Sequence, residues 1–192
     1  MTYKQLRQIT LQKMFATQGG EELQDDVTKD YLRALPSAAN EGLMLMALTG
    51  ECKTKRLSFA AIKGEIVELN VLAPDYLQCA SGIFKQIGDE TVQAEGWHIQ
   101  GNIALVPQSG NYIMYYKAKP KLIQDNTAPD EVIDITEEAA VLLPLYIASE
   151  LYKDDDAGLA AGYRNEFEAG REALMGRICD ADYGFTQTAG WC

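Results

Sequence analysis

Residues 139–170 read AAVLLPLYIASELYKDDDAGLAAGYRNEFEAG, and the reading of this stretch decides the fold. Ala139, Leu142, Leu143, Tyr146, Ile147 and Leu151 recur at helical spacing and make an apolar face too wide for a helix with one partner. Asp134 followed three residues later by Glu137 is a capping-box variant that places the helix start at Ile135. Pro144 inside the pattern removes one backbone hydrogen bond and predicts a kink. The run Asp154-Asp155-Asp156 is expected to cap a final helix reaching about Ile178, because carboxylates at a helix start accept from exposed amides and favour the dipole. That helix carries Leu159, Tyr163, Phe167, Leu174 and Ile178 as its apolar positions. From Asp180 to Cys192 the chain mixes glycine with Tyr183, Phe185 and Trp191, shows no period, and is read as a tail outside the core.

Upstream, the pattern changes. Between residue 54 and about 118 the runs TKRLSFAAI, EIVELNVL, GIFKQIG, VQAEGWHIQ, NIALVP and NYIMYYKAK are short and rich in β-branched and aromatic residues. Lys63-Gly64, Pro74-Asp75, Gly88-Asp89, Gly101-Asn102 and Ser109-Gly110 punctuate them. Ile66, Glu68 and Asn70 alternate with Val67, Leu69 and Val71, the period of a strand. Short strands at this spacing predict a small antiparallel sandwich or open barrel. A loop containing Pro120, Asp125, Asn126 and Pro129 leads back to helix.

The N-terminal region is helical again. Tyr3, Leu6, Ile9 and Met14 form a stripe that predicts a helix from Tyr3 to Thr17, stopped by Gly19-Gly20. A second helix is capped by Asp25 or Asp26 and ends before Gly50. Val27, Tyr31, Leu35, Ala38, Gly42 or Leu43, and Met46 lie on one side of it, and Pro36 predicts a kink near Arg33. The expected class is α+β, with N- and C-terminal helices forming a bundle and a small antiparallel sandwich or barrel-like module inserted between them. Residues 1–53 and 130–179 make the discontinuous helical domain, 54–129 the β-rich module and return loop, and 180–192 the tail.

The chain has 192 residues, long enough to bury a real core, and carries a formal charge of −11 with a pI near 4.5. Nucleic-acid affinity rests on clustered Lys and Arg. Here only Lys53, Lys55 and Arg56, and more weakly Lys117, Lys119 and Lys121, cluster at all. No run of about 18 apolar residues predicts a membrane span, and no apolar block near Met1 predicts a signal peptide. The protein is expected to be soluble and made in the cytoplasm. Cys52, Cys79, Cys179 and Cys192 form no CxxC pair and lie far from His98, so they read as reduced, with no metal site.

Catalytic signals are missing in turn. The sequence holds no phosphate loop, dinucleotide fingerprint, nucleophile elbow or HExxH. His98 follows Trp97 in a strand pattern and reads as a strand residue. Asp154 to Asp156 fails the calcium-loop spacing and reads as a helix cap. Tyr112, Tyr115 and Tyr116 suit base stacking only with cations on the same groove, so strand packing is the reading adopted. No catalytic residue and no cofactor is expected. The broad face with Leu143, Tyr146 and Ile147, and the tail with Tyr183, Phe185 and Trp191, suit contacts with neighbouring subunits, unless the helices cover one another.

The pairing of YLRALPSAANEGL (31–43) with the 139–170 segment resembles tailed-bacteriophage head–tail connector proteins, the adaptors that sit beneath the portal. ELYKDDD and YRNEFE are its most specific parts, and the β module is the looser match. The resemblance implies a ring, generally of twelve copies, docked on the portal protein, with partners in neighbouring copies and in the next neck or tail component. It implies a place in the neck of a virion assembled in a bacterial cytoplasm, a channel through which DNA passes without specific binding, and no catalysis. It also implies C-terminal residues that clasp the portal or an adjacent subunit. Two other classes compete: a neck stopper or tail-tube component, which would be β-dominated, and a small hydrolase or nucleic-acid-processing enzyme, which needs a convergent site.

Overall fold

A computed structural model of the chain describes residues 1–19 and 21–182, with side chains as far as Met175. In chain order its elements are α1 (Tyr3–Lys13), β1 (Thr17–Gln18), β2 (Glu21–Glu22), α2 (Asp26–Leu48), β3 (Thr54–Ala61), β4 (Ile66–Glu68), α3 (Leu69–Leu72), β5 (Tyr76–Ile87), β6 (Glu90–Gln93), β7 (His98–Gln100), β8 (Ile103–Leu105), β9 (Gly110–Ala118), α4 (Glu137–Leu151) and α5 (Ala157–Asp182). The fold is therefore mixed helix and sheet. All its strand pairs are antiparallel and, among the described residues, no sheet closes into a barrel. No helix among them is long and apolar enough to cross a membrane. The chain divides into two compact units, Met1–Glu51 with Lys121–Cys192, and Cys52–Pro120. The return segment 121–129, expected with the β module, thus belongs to the helical unit; there Ile123 N–H donates to Asn40 Oδ1 of α2 at 2.7 Å, and Asn40 Nδ2 donates back to the Ile123 carbonyl at 2.9 Å.

Caps set the helix ends. Thr2 and Gln5 form a reciprocal capping box at α1. That helix stops at Lys13, short of the Thr17 its stripe predicts. Phe15 adopts φ 54°, Ala16 N–H reaches back to the Leu11 carbonyl at 2.9 Å, and Phe15 N–H to that of Gln12 at 3.2 Å. These are the bonds of a left-handed C-terminal cap, taken up here by a phenylalanine where glycine is usual. β1 and β2 follow as a short hairpin. Asp25 caps α2, its Oδ1 accepting from Thr28 N–H at 2.7 Å, and Gly50 at φ 89° lies just past the end. α2 runs without a break through Pro36, and α4 through Pro144.

α4 starts two residues later than expected. Its cap is Thr136, which accepts from Ala139 N–H at 3.4 Å, while Asp134 instead accepts from Lys121 N–H at 3.3 Å. At α5 the cap falls on Asp156, whose Oδ1 accepts from Gly158 and Leu159 N–H at 2.9 and 3.0 Å. The helix extends past Ile178 to Asp182, so residues 180–182 are helical and not tail. Leu6, Leu35, Leu43, Met46, Leu143, Ile147 and Phe167 meet in the core of this unit. Val27 and Leu159, expected on buried stripes, are exposed.

In the other unit the sheet orders are β3-β9-β5-β6 and β4-β8-β7, and residues of both sheets join one buried cluster with Tyr76, Tyr112, Met114 and Tyr116. Alternation holds through Val67 and Leu69 but fails at Val71. After Glu68 the chain makes the single turn of α3, with Ala73 N–H on the Leu69 carbonyl at 2.8 Å, and Pro74 ends it. β5 is irregular opposite Tyr115, its register slipping between Cys79 and Ile83.

Candidate functional site

The broad face of α4 is satisfied inside its own unit. Leu143, Tyr146 and Ile147 are 0%, 4% and 0% exposed, so these three expected subunit contacts are corrected to core residues. Two glycines let neighbouring helices come close to α4. A Cβ at Gly42 of α2 would lie 2.6 Å from Leu143 Cδ1, and one at Gly170 of α5 would lie 2.6 Å from Leu142 Cδ2. The Phe167 ring meets that of Tyr146 edge-on at 5.1 Å, and the Arg164 guanidinium sits 4.8 Å from the Tyr146 ring centroid. Arg164 also binds Glu150 at 2.9 Å and Glu168 at 3.2 Å. Burial, with the Glu150 carboxylate nearby, raises the Tyr146 phenol above its ordinary range despite that cation. The expected tail contacts Tyr183, Phe185 and Trp191 lie outside the described residues.

At the α4–α5 turn each carboxylate with a described bond has a structural task. Asp156 caps α5, and Asp155 Oδ2 accepts from Tyr31 O–H at 2.5 Å. Burial first, then that bond, pushes the Tyr31 phenol well above its usual range. Tyr152, the C-cap of α4, and Tyr163, within α5, anchor α1. Tyr152 O–H donates to the Met14 carbonyl at 2.9 Å and Tyr163 O–H to that of Lys13 at 2.7 Å, with their rings stacked at 6.3 Å. They satisfy carbonyls that a helix end leaves without internal partners. Tyr31 and Tyr163 were legible only as stripe residues of separate helices, and the fold alone shows that they converge with Tyr152.

The helical unit also holds a cleft of about 680 Å³ lined by Tyr3, Lys4, Arg7, Leu32, Arg33 and Pro36, with Glu22 and Asp125 among its polar groups. Arg7 pairs with Glu22, and its Nε has no hydrogen-bond partner among the described residues. Pro36, on the wall of this cleft, offers no N–H to the Leu32 carbonyl four residues earlier. In the β unit His98 is exposed on β7. Tyr112 and Tyr116 are buried, Tyr112 O–H donating to the Gln108 carbonyl at 2.5 Å, whereas Tyr115 is 40% exposed. Cys52 and Cys79 form no disulfide. Among the described residues no group of three or more His, Cys, Asp and Glu is placed to hold a metal ion.

No protein-family model matches the chain, and no curated protein matches it.

Proposed function

We propose that the chain is a structural subunit of a phage neck, an adaptor that forms a ring beneath the portal protein, links head to tail and continues the DNA channel. It acts without catalysis or cofactor. In this reading both chain ends build a helical bundle and the residues between them form an inserted antiparallel sandwich. The observation that carries it is the α4–α5 hairpin turning at Asp154–Asp156, formed by the same segment that resembles the adaptor family. The order of helices, antiparallel strands and helices along the chain supports it as well. Its partners are the portal, neighbouring copies, and the next neck or tail component. Twelve copies at −11 each would make a strongly electronegative ring, and a lumen of that sign would let DNA slide without sticking.

The test is reconstitution. Full-length protein mixed with purified portal is expected to add a ring to the portal's lower face, seen by electron microscopy. Portal that stays bare at high adaptor concentration overturns the proposal. Deleting residues 183–192 is expected to leave the circular dichroism spectrum unchanged while weakening ring formation.

A further inference from the structure

The −11 charge is unevenly divided. Residues 1–51 and 121–192 hold 22 acidic and 10 basic side chains, a net of −12; residues 52–120 hold 6 acidic and 7 basic, a net of +1. Within the second unit the cations gather. The antiparallel pairing of β3 with β9 brings together two basic clusters that are some 60 residues apart in sequence. Arg56 stands opposite Tyr115, Gln78 opposite Lys117, and Phe84 opposite Gln93. Alternation puts all of these on one face of the four-stranded sheet, and Tyr112, Met114 and Tyr116 on the other, inside the core.

Among the described residues no carboxylate falls on that outer face of the four strands. Phe84 and Tyr115 meet there edge to face at 6.2 Å. Arg56 and Lys119 are exposed, and Lys117 Nζ donates to the Cys52 carbonyl at 3.5 Å, its one hydrogen bond among the described residues. Lys55, on the opposite parity, is already paired with Asp75 at 2.6 Å. Protection of an edge strand accounts for charge on β3. It does not account for Lys117 and Tyr115, because β9 lies between β3 and β5.

We infer that this face docks against the carboxylate-rich helical unit of a second copy of the chain. Arginine, tyrosine and phenylalanine are the side chains that protein interfaces favour. The complementary surface is present at equal concentration in every copy and carries the opposite charge. Nucleic acid fits less well: three cations neutralise too few phosphates to hold a strand at physiological salt against a chain of −11. Contact between a β unit and a different surface of the next copy is heterologous, and such a contact makes a ring where the rotation from copy to copy closes. The inference thus rests on the ring reading and gives it a contact surface.

The experiment uses the full chain, half of it labelled with nitrogen-15, coupled with a zero-length carbodiimide that joins lysine to carboxylate. At low ionic strength, links from Lys117 or Lys119 of one isotope to Asp or Glu of the helical unit of the other are expected, with loss at high salt. Arg56→Glu/Lys117→Glu/Lys119→Glu should weaken association at least about tenfold, as should assembly on the portal. The milder Arg56→Gln/Lys117→Gln/Lys119→Gln, with an unchanged circular dichroism spectrum, should give a smaller loss in the same direction. Rings that form on the portal undiminished in both variants overturn the surface assignment and leave the ring reading standing. Salt-sensitive links with a bare portal sustain the contact and sink the ring reading. Absence of inter-copy links to the helical unit overturns the contact. So does binding of a single-stranded oligonucleotide that the variants lose, which would assign the face to nucleic acid.

Discussion

Gly42→Ala pits helix propensity against packing, and the structure decides the sign. In an exposed helix interior the change stabilises by about 1 kcal/mol, since alanine loses less backbone entropy than glycine. At position 42 of α2 the added Cβ lies 2.6 Å from Leu143 Cδ1 and 2.8 Å from Tyr146 Cδ1, where ordinary contact begins at 3.4 Å. The neighbours must therefore yield by about 0.8 and 0.6 Å. Leu143 is fully buried, and Tyr146 is held between Phe167 and Arg164, so neither has open space to move into. Overpacking of this kind costs about 1–3 kcal/mol. The expected balance is a net loss of about 1 kcal/mol, or roughly 2–4 °C in Tm for a chain of this size. Urea unfolding followed by the helical circular dichroism band measures it. The double-mutant cycle is sharper. Leu143→Ala alone should cost about 2–5 kcal/mol, and in that background Gly42→Ala should become neutral or stabilising. A wild-type background in which Gly42→Ala stabilises by the full propensity gain would show that α2 and α4 do not approach as described.

Asp156→Ala removes the acceptor for two α5 amides and should cost about 1 kcal/mol in the same urea assay; an unchanged midpoint would remove Asp156 from the cap. Burial tends to raise the Asp75 carboxyl, but hydrogen bonds from Lys55 and Tyr116 outweigh it and hold the group below its ordinary 3.8. Its stabilisation is therefore complete above that value and is lost as pH falls through the depressed folded value. Asp75→Asn should flatten this acid limb, and superimposable pH profiles of wild type and variant would count against the assignment. The same change should lower the Tyr116 phenol, which burial first and Asp75 second push up to about 12, as read by spectrophotometric titration. Leu143→Asp places a charge at a site with no exposure and should abolish cooperative unfolding of the helical unit, whether or not other copies are present. A folded, assembly-defective monomer would instead return Leu143 to a subunit interface.

Local chemistry made part of the fold legible. Asp25 before α2, Gly50 after it, the glycine turns at 64, 88 and 101, and the strand alternation through Leu69 depend on a residue and its near neighbours, and each appears where the pattern puts it. Errors arose where a nearby competitor had to be weighed. Thr136 displaced Asp134 as the cap of α4, since Asp134 is drawn to the Lys121 amide of the return segment. Phe15, in the left-handed conformation, ended α1 at Lys13, short of the Thr17 at which the helix was expected to end.

Tertiary structure alone decided what the wide α4 face is for. Periodicity showed that Leu143, Tyr146 and Ile147 need covering, but an apolar side chain loses water equally well against its own chain or another. Gly42 and Gly170 settle the matter, because a missing Cβ lets α2 and α5 come close enough to cover the face. The joining of Arg56 with Tyr115 and Lys117 is likewise a product of register. Sequence fixes which side chains must leave water and which must keep it; the pairing of distant strands and helices determines which neighbour each of them meets.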